Sequence, residues 1–269
     1  MGLYNVNLHK FKHKRNDSFA QKVFLLILFF VHKEKNVCYT VRREEADGMD
    51  LSRLLGVRPG VTALIGGGGK TTAMYVLAGE LAARGTVICA TTTRIWPPEH
   101  LPVLTGAGPA EISAALAERG CVCAGEPAEH GKLAAPALPV AQLAQLADYV
   151  LIEADGSKGL PVKAHLPHEP VIPAEADQTV LLAGASGFGR PVREAVHRSE
   201  QFCRLTGTPP DGPVTAANLA RLLLAERLGD KVFVNQIETG AEQARELAAL
   251  LPWPVFAGAL QGGVWKCLS

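Results

Sequence analysis

The stretch VTALIGGGGKTTAMYVLAGELAARG, residues 61–85, sets four glycines between an apolar run and Lys70-Thr71-Thr72. Backbone amides can surround a phosphate only where the chain curls tightly and no side chain blocks the approach, and glycine meets both conditions. A helix opening near Lys70 directs the positive end of its dipole at the same point. Gly66, Gly67, Gly68 and Gly69 would then supply amides, Lys70 would reach the β- and γ-phosphates of a nucleotide, and Thr71 and Thr72 would supply hydroxyls, that of Thr71 to Mg²⁺. A lone glycine run reads as a flexible turn. The apolar strand before this one and the amphipathic helix after it single it out as a phosphate cradle.

The long P-loop pattern, G-x-x-x-x-G-K-[ST], needs glycine where Leu64 stands. The shorter loop here resembles the G-x-x-G-K-[ST]-T loop of Mur-type ATP-dependent ligases. A loop of this kind works with a carboxylate at a neighbouring strand end, which holds Mg²⁺ and orients the attacking group. DYVLIEADGSKGLPVKAH, residues 148–165, offers Glu153 and Asp155 at the end of an apolar run. Both point to one side if the strand continues through Asp155. Either could serve the metal and the other act as a base. Thr91-Thr92-Thr93-Arg94 closes another strand, where three hydroxyls and a guanidinium could sense a γ-phosphate or position a substrate. Asn235-Gln236-Ile237-Glu238 stands in the manner of the guanine-reading N-K-x-D, but Gln236 replaces the lysine and Glu238 the aspartate. ATP and GTP therefore both stay open.

Other chemistry-bearing residues carry blander readings. Lys158 and Lys163 could bind an anionic group or be exposed. His165 and His168 are expected to be solvated, because Pro167 prevents the helix that would align them on a metal. His197-Arg198 falls in an expected helix, as a substrate contact or a surface patch, and Gly184, Gly187 and Gly189 read as a turn. Cys121-Val-Cys123 reads as ordinary strand, with metal or selenium handling as the alternative.

These groups need elements to hold them. Apolar runs predict strands at Val61–Ile65, Thr86–Ala90, Tyr149–Ile152, Thr179–Leu182, Val232–Asn235 and Val255–Phe256. Helical patterns lie between them: Met74, Leu77, Ala78 and Leu81 mark one face of a helix closed by Gly85, and others fall near 109–119, 138–147, 190–206, 214–228 and 240–251. Alternating strands and helices predict an α/β fold of the P-loop NTPase type, a mostly parallel sheet with helices on both faces. Ligands gather outside the carboxyl ends of such strands. Proline-rich loops at 97–102 and 161–173 are expected to overhang one edge.

Across 269 residues, 48% apolar content is enough for a substantial core, and a net charge of +1 argues against a nucleic-acid binder. Six cysteines with no CxxC pair fit a reduced, cytoplasmic compartment. Residues 1–48 stand apart, with six of the twelve lysines and five of the nine phenylalanines. They are expected to be a non-native or disordered extension ahead of a start at Met49, leaving 49–269 as one nucleotide-binding domain. Within them the nine-residue apolar run Val23–Val31 is too short to span a bilayer.

Taken together, LIGGGGKTT, CATTTRIWPP, the EADGSKGLPVKAH stretch followed by HEPVIP, and VFVNQIE resemble the YqeC family from about Met49 to the end. That resemblance implies a cytoplasmic nucleotide-binding protein linked to selenium-containing molybdenum cofactor, with a molybdenum hydroxylase or its cofactor as partner. It carries the glycine loop onto Gly66–Thr72 and the acidic strand end onto Glu153 and Asp155. Three activities follow as expectations. The first is a Mg²⁺-dependent NTPase, in which Lys70, Glu153 and Asp155 act on the γ-phosphate and Thr71 and Asp155 hold the metal. The second is a nucleotide-dependent switch or carrier, and the third a Mur-like ligase or kinase with Lys158, Lys163 and His197 at the acceptor.

Overall fold

The computed structural model describes residues 49–269, so the expectations for residues 1–48 and for Val23–Val31 lie outside the described residues. The chain runs through α1 (Leu51–Leu54), β1 (Gly60–Gly66), α2 (Lys70–Leu81), β2 (Val87–Thr91), β3 (Arg94–Ile95), β4 (Val103–Leu104) and α3 (Pro109–Arg119). It continues with β5 (Cys121–Ala124), β6 (Glu126–Pro127), β7 (Leu133–Ala134), α4 (Val140–Leu146), β8 (Tyr149–Glu153), β9 (Val162–Lys163) and β10 (Ala176–Gly184). The last part holds α5 (Val192–Ala195), β11 (Val196–His197), α6 (Ser199–Thr206), α7 (Ala216–Glu226), β12 (Lys231–Asn235), α8 (Ala241–Leu250), β13 (Val255–Ala259) and β14 (Val264–Cys267).

Nine strands form one sheet in the order β14-β13-β12-β10-β1-β8-β2-β5-β4. Every neighbouring pair is parallel except β13–β14. This is the mixed α/β architecture with a mostly parallel sheet that the alternating pattern predicts. Alternation along each strand divides the core between two faces. On one, Val61, Ala63 and Ile65 of β1 pack with Ile112 and Leu116 of α3, Leu143 of α4, Leu219 of α7 and Leu247 of α8. On the other, Leu64 of β1 and Leu151 of β8 pack with Leu51 of α1 and Met74, Leu77 and Leu81 of α2.

The connections leave β1 toward β2 and β10 toward β12, in opposite directions across the sheet. The carboxyl ends of β1 and β10 thus flank a topological switch point, where open α/β sheets place ligands. Gly66 pairs with Leu182 of β10, and Leu64 pairs with Glu153 of β8. The glycine loop and the acidic strand end are therefore direct neighbours.

Several expectations change. The 190–206 helix is two short helices separated by β11, because Val196 and His197 pair in parallel with Val162 and Lys163 of β9. His197 is therefore a strand residue, and Arg198 takes a left-handed conformation at the start of α6. Loop 161–173 does not overhang an edge. It packs over the middle of the sheet, where the Leu160 and Pro161 carbonyls accept from the Gly68 and Gly184 amides and Val171 N donates to Ala154 O. The 97–102 loop does lead to the edge strand β4. The strand reading of Cys121-Val122-Cys123 holds: both thiols are buried in β5, and burial pushes that of Cys123 up to about 12. No helix among the described residues is long and apolar enough to cross a membrane.

Candidate functional site

β1 ends in Gly66, and the chain turns through Gly67, Gly68 and Gly69 into α2, whose first residue is Lys70. Two close approaches explain the glycines. At Gly66, with φ +94°, a Cβ would meet the Leu182 carbonyl, and at Gly68, with φ +72°, it would meet the backbone of Gly184. The loop amides divide between two uses. Gly67 N donates to Leu182 O at 2.8 Å and Gly68 N to Leu160 O at 3.1 Å, which fixes the bend. No side chain caps α2 at Gly69, and first-turn amides have no intrahelical partner, so the helix start is the open anion-facing end.

Lys70 is buried, with its ammonium 2.7 Å from Gly66 O, 3.1 Å from Asp155 Oδ1 and 3.7 Å from Glu153 Oε1. Thr71 donates to Glu153 Oε2 at 2.7 Å. Thr72 follows on the same helical turn, half-buried. The structure thus brings Lys70, Thr71, Glu153 and Asp155 together, with both carboxylates reaching the α2 side of the sheet. Burial pushes the Glu153 carboxyl above its ordinary value, partly offset by Lys70 and Thr71. Asp155 goes the other way. Burial disfavours its charge, but the His165 hydrogen bond, the Lys70 and Lys163 ammoniums and the Gly66 amide hold it well below the ordinary range.

The threonines at the end of β2 serve mainly as ties. Thr91 donates to Glu153 O at 2.7 Å and accepts from Thr93 N at 2.9 Å, while Thr92 donates to Val171 O at 2.8 Å. Arg94, expected beside the phosphates, instead pairs with Glu129 at 3.2 Å, and its strand β3 belongs to a separate three-stranded sheet with β7 and β6. Asn235 lies beside the glycine loop. Its Nδ2 donates to Gly68 O at 2.7 Å and its Oδ1 accepts from Leu260 N at 3.0 Å, so the carboxamide clamps the loop to the end of β13. Gln236 accepts from Ser186 at 2.6 Å.

His165 and Lys163 overturn their sequence reading. His165 is 4% exposed, with Nε2 2.8 Å from Asp155 Oδ2 and Nδ1 2.8 Å from Glu226 Oε2. Carboxylates only accept, so both ring nitrogens donate. Burial lowers the His165 pKa, but its two carboxylate partners outweigh that and raise it. Lys163, buried by the β9–β11 pairing, lies 3.4 Å from Asp155 and 3.6 Å from Glu169, and Glu169 in turn takes two hydrogen bonds from Arg198. His168 is exposed, as expected. The sequence signal for burial here was the apolar pair Val162 and Ala164 flanking Lys163. Glu226 was missed. A carboxylate at the last residue of α7 opposes the helix dipole, and that anomaly was the one local clue to a buried partner.

The donor set fits Mg²⁺, which takes hard oxygen ligands and keeps waters and phosphates in its shell. Thr71 and Glu153 supply a hydroxyl and a carboxylate. Asp155 Oδ1 is fully buried and receives no hydrogen bond, although Lys70 is near.

A mostly parallel α/β sheet with a glycine loop, a buried lysine and two carboxylates at its switch point is consistent with a P-loop-like α/β fold. Comparison with known proteins then gives the family. A family model described as YqeC protein matches residues 62–200. The Uncharacterized protein YqeC of Escherichia coli (strain K12) is 36% identical over 174 residues, covering 62% of this chain and 68% of that protein. The chain belongs to the YqeC family. No solved structure matches. The matched stretch holds the glycine loop, both carboxylates, Lys163, His165 and Arg198, and it ends before Glu226 and Asn235.

Proposed function

We propose that this protein binds a nucleoside triphosphate together with Mg²⁺ at Gly66–Thr72 and hydrolyses it. The observation that carries the reading is Asp155 Oδ1, buried beside Lys70 at the mouth of a glycine loop and left without a hydrogen bond. Its one charged neighbour on that side is the Lys70 ammonium, 3.1 Å away and not hydrogen-bonded to it, and a buried acceptor left short of hydrogen bonds is where a ligand is expected. Thr71 and Asp155 would hold the metal, which neutralises polyphosphate charge when bound. Lys70 would leave its carboxylates to neutralise charge moving onto the γ-phosphate. Glu153, with its pKa raised by burial, is suited to accept a proton from the attacking water once Thr71 turns to the metal. The cations deep in the site are already paired with carboxylates, so the triphosphate must bring its own cation.

Asn235 is engaged with main chain on both sides of its carboxamide and does not read the base, so ATP and GTP are both carried as ligands. Following the family resemblance, the reaction belongs to the cytoplasm and serves selenium cofactor synthesis or the maturation of selenium-dependent molybdenum hydroxylases. Transfer to an acceptor is the second reading. It is favoured by the position of His197, which pairs on β11 with Lys163 of β9 beside the site. Calorimetry with ATP and GTP in parallel, with and without Mg²⁺, tests binding. Uptake that depends on Mg²⁺ is expected, and no uptake of either nucleotide by folded protein ends the reading. Phosphate release with and without a molybdopterin-type ligand separates hydrolysis from transfer, which requires the second substrate.

A further inference from the structure

Asp155 uses its two oxygens unequally. Oδ2 accepts from Gly66 N at 2.9 Å and His165 Nε2 at 2.8 Å, with the Lys163 ammonium 3.4 Å away. Oδ1 receives no hydrogen bond. The carboxylate therefore cannot rotate without breaking the contacts on Oδ2, and Oδ1, which faces the Lys70 ammonium at 3.1 Å, keeps one direction. His165 is itself held twice by one residue: Glu226 Oε1 accepts from its backbone amide at 2.7 Å and Oε2 from its ring at 2.8 Å. Glu226 closes α7, a helix anchored by a Thr215–Asn218 capping box and by the buried Leu219, Leu222 and Leu223. A rigid element thus reaches through two side chains to the oxygen left for the metal.

We propose that His165, backed by Glu226, is a positioning residue that locks Asp155 so that Oδ1 alone is presented to the magnesium–triphosphate. The inference rests on the nucleotide-binding reading above. Outer-sphere partners of this kind orient a ligand and change metal affinity about 10–100-fold when removed. In this site the partner acts on the Mg²⁺-dependent part of binding and not on the loop and helix start that meet the phosphates.

The test uses the full chain and a fluorescent ATP or GTP analogue, titrated with EDTA and with saturating Mg²⁺, beside the melting temperature of each variant. In His165→Ala, the gain in affinity that Mg²⁺ confers on the wild type is expected to fall about 10–100-fold. Metal-free binding should stay within about threefold of wild type, a margin below that range. His165→Gln, which retains a donor, should recover part of the loss. Glu226→Gln, which preserves shape, covers the case in which the alanine variant does not fold, and it should lose affinity in the same sense. A Mg²⁺ gain left intact in the folded variants overturns the proposal. So does an equal loss with and without metal that tracks melting temperature, since that marks a merely structural histidine. A wild type that binds neither nucleotide removes the nucleotide reading and this inference together, whereas normal wild-type binding with unaffected variants removes only the inference.

Discussion

At the amino ends of the parallel strands, polar groups finish in closed pairs. Gln178 Nε2 donates to Thr62 Oγ1 at 2.8 Å, Lys231 donates to Leu55 O at 2.6 Å, and Asp177 accepts from Val61 N at 2.8 Å. At the carboxyl ends of the same strands, the ionisable Lys70, Glu153, Asp155, Lys163 and His165 are buried together, and their network ends at Asp155 Oδ1, which faces the Lys70 ammonium at 3.1 Å but receives no hydrogen bond. Both ends are built from polar residues on one scaffold. The difference is closure: satisfied pairs hold a sheet together, whereas an open, buried charged network is costly to fold and is retained where a ligand completes it.

The sharpest way to break this contrast is Lys70→Ala. Turnover should fall by about two to three orders of magnitude, the scale for removing one positioned group that stabilises transition-state charge. Because Lys70 is buried against two carboxylates, the variant should also lose about 3 kcal/mol, the cost of leaving buried charge unpaired. Phosphate release and urea unfolding read the two effects, and wild-type turnover would remove Lys70 from the site. Thr62→Val provides the opposite case. It leaves Gln178 Nε2 without its acceptor and should cost about 1–2 kcal/mol in urea unfolding with turnover unchanged. A matching loss of activity would erase the distinction between the two ends.

The smallest effect is in acid. Burial works against the Glu169 charge, but Arg198 and Lys163 outweigh it and bring the carboxyl from 4.5 in its ordinary state to about 2. A lowered folded pKa means that this pairing stabilises the protein fully above about 4.5 and that the contribution is lost as pH falls toward about 2. Melting temperature against pH should therefore fall less steeply through that window in Glu169→Gln than in the wild type. Identical slopes would show that the pair adds nothing to acid stability.

The legible parts of the molecule were those in which a short stretch decides its own structure. Gly66–Thr72 declares a bend followed by a helix, VLIE declares a strand with an acid at its end, and Pro109 to Arg119 is a helix closed by Gly120 in a left-handed cap. Loop 161–173 was misjudged because its burial depends on partners remote in the chain. β11 covers Lys163 and α7 delivers Glu226 to His165, so prolines that look like surface punctuation instead shape a lid over the switch point. Arg94 was misplaced for a related reason: two residues of pairing with β7 carry it to a different sheet.

The Asn235 clamp has a thermodynamic consequence. With Gly68 O tied to one side of its carboxamide, Leu260 N to the other, and the Gly67 and Gly68 amides already committed, the glycine loop takes its curled form as the chain folds. On the proposed reading, a nucleotide would meet a mould that is already set, and little chain entropy would be lost on its entry.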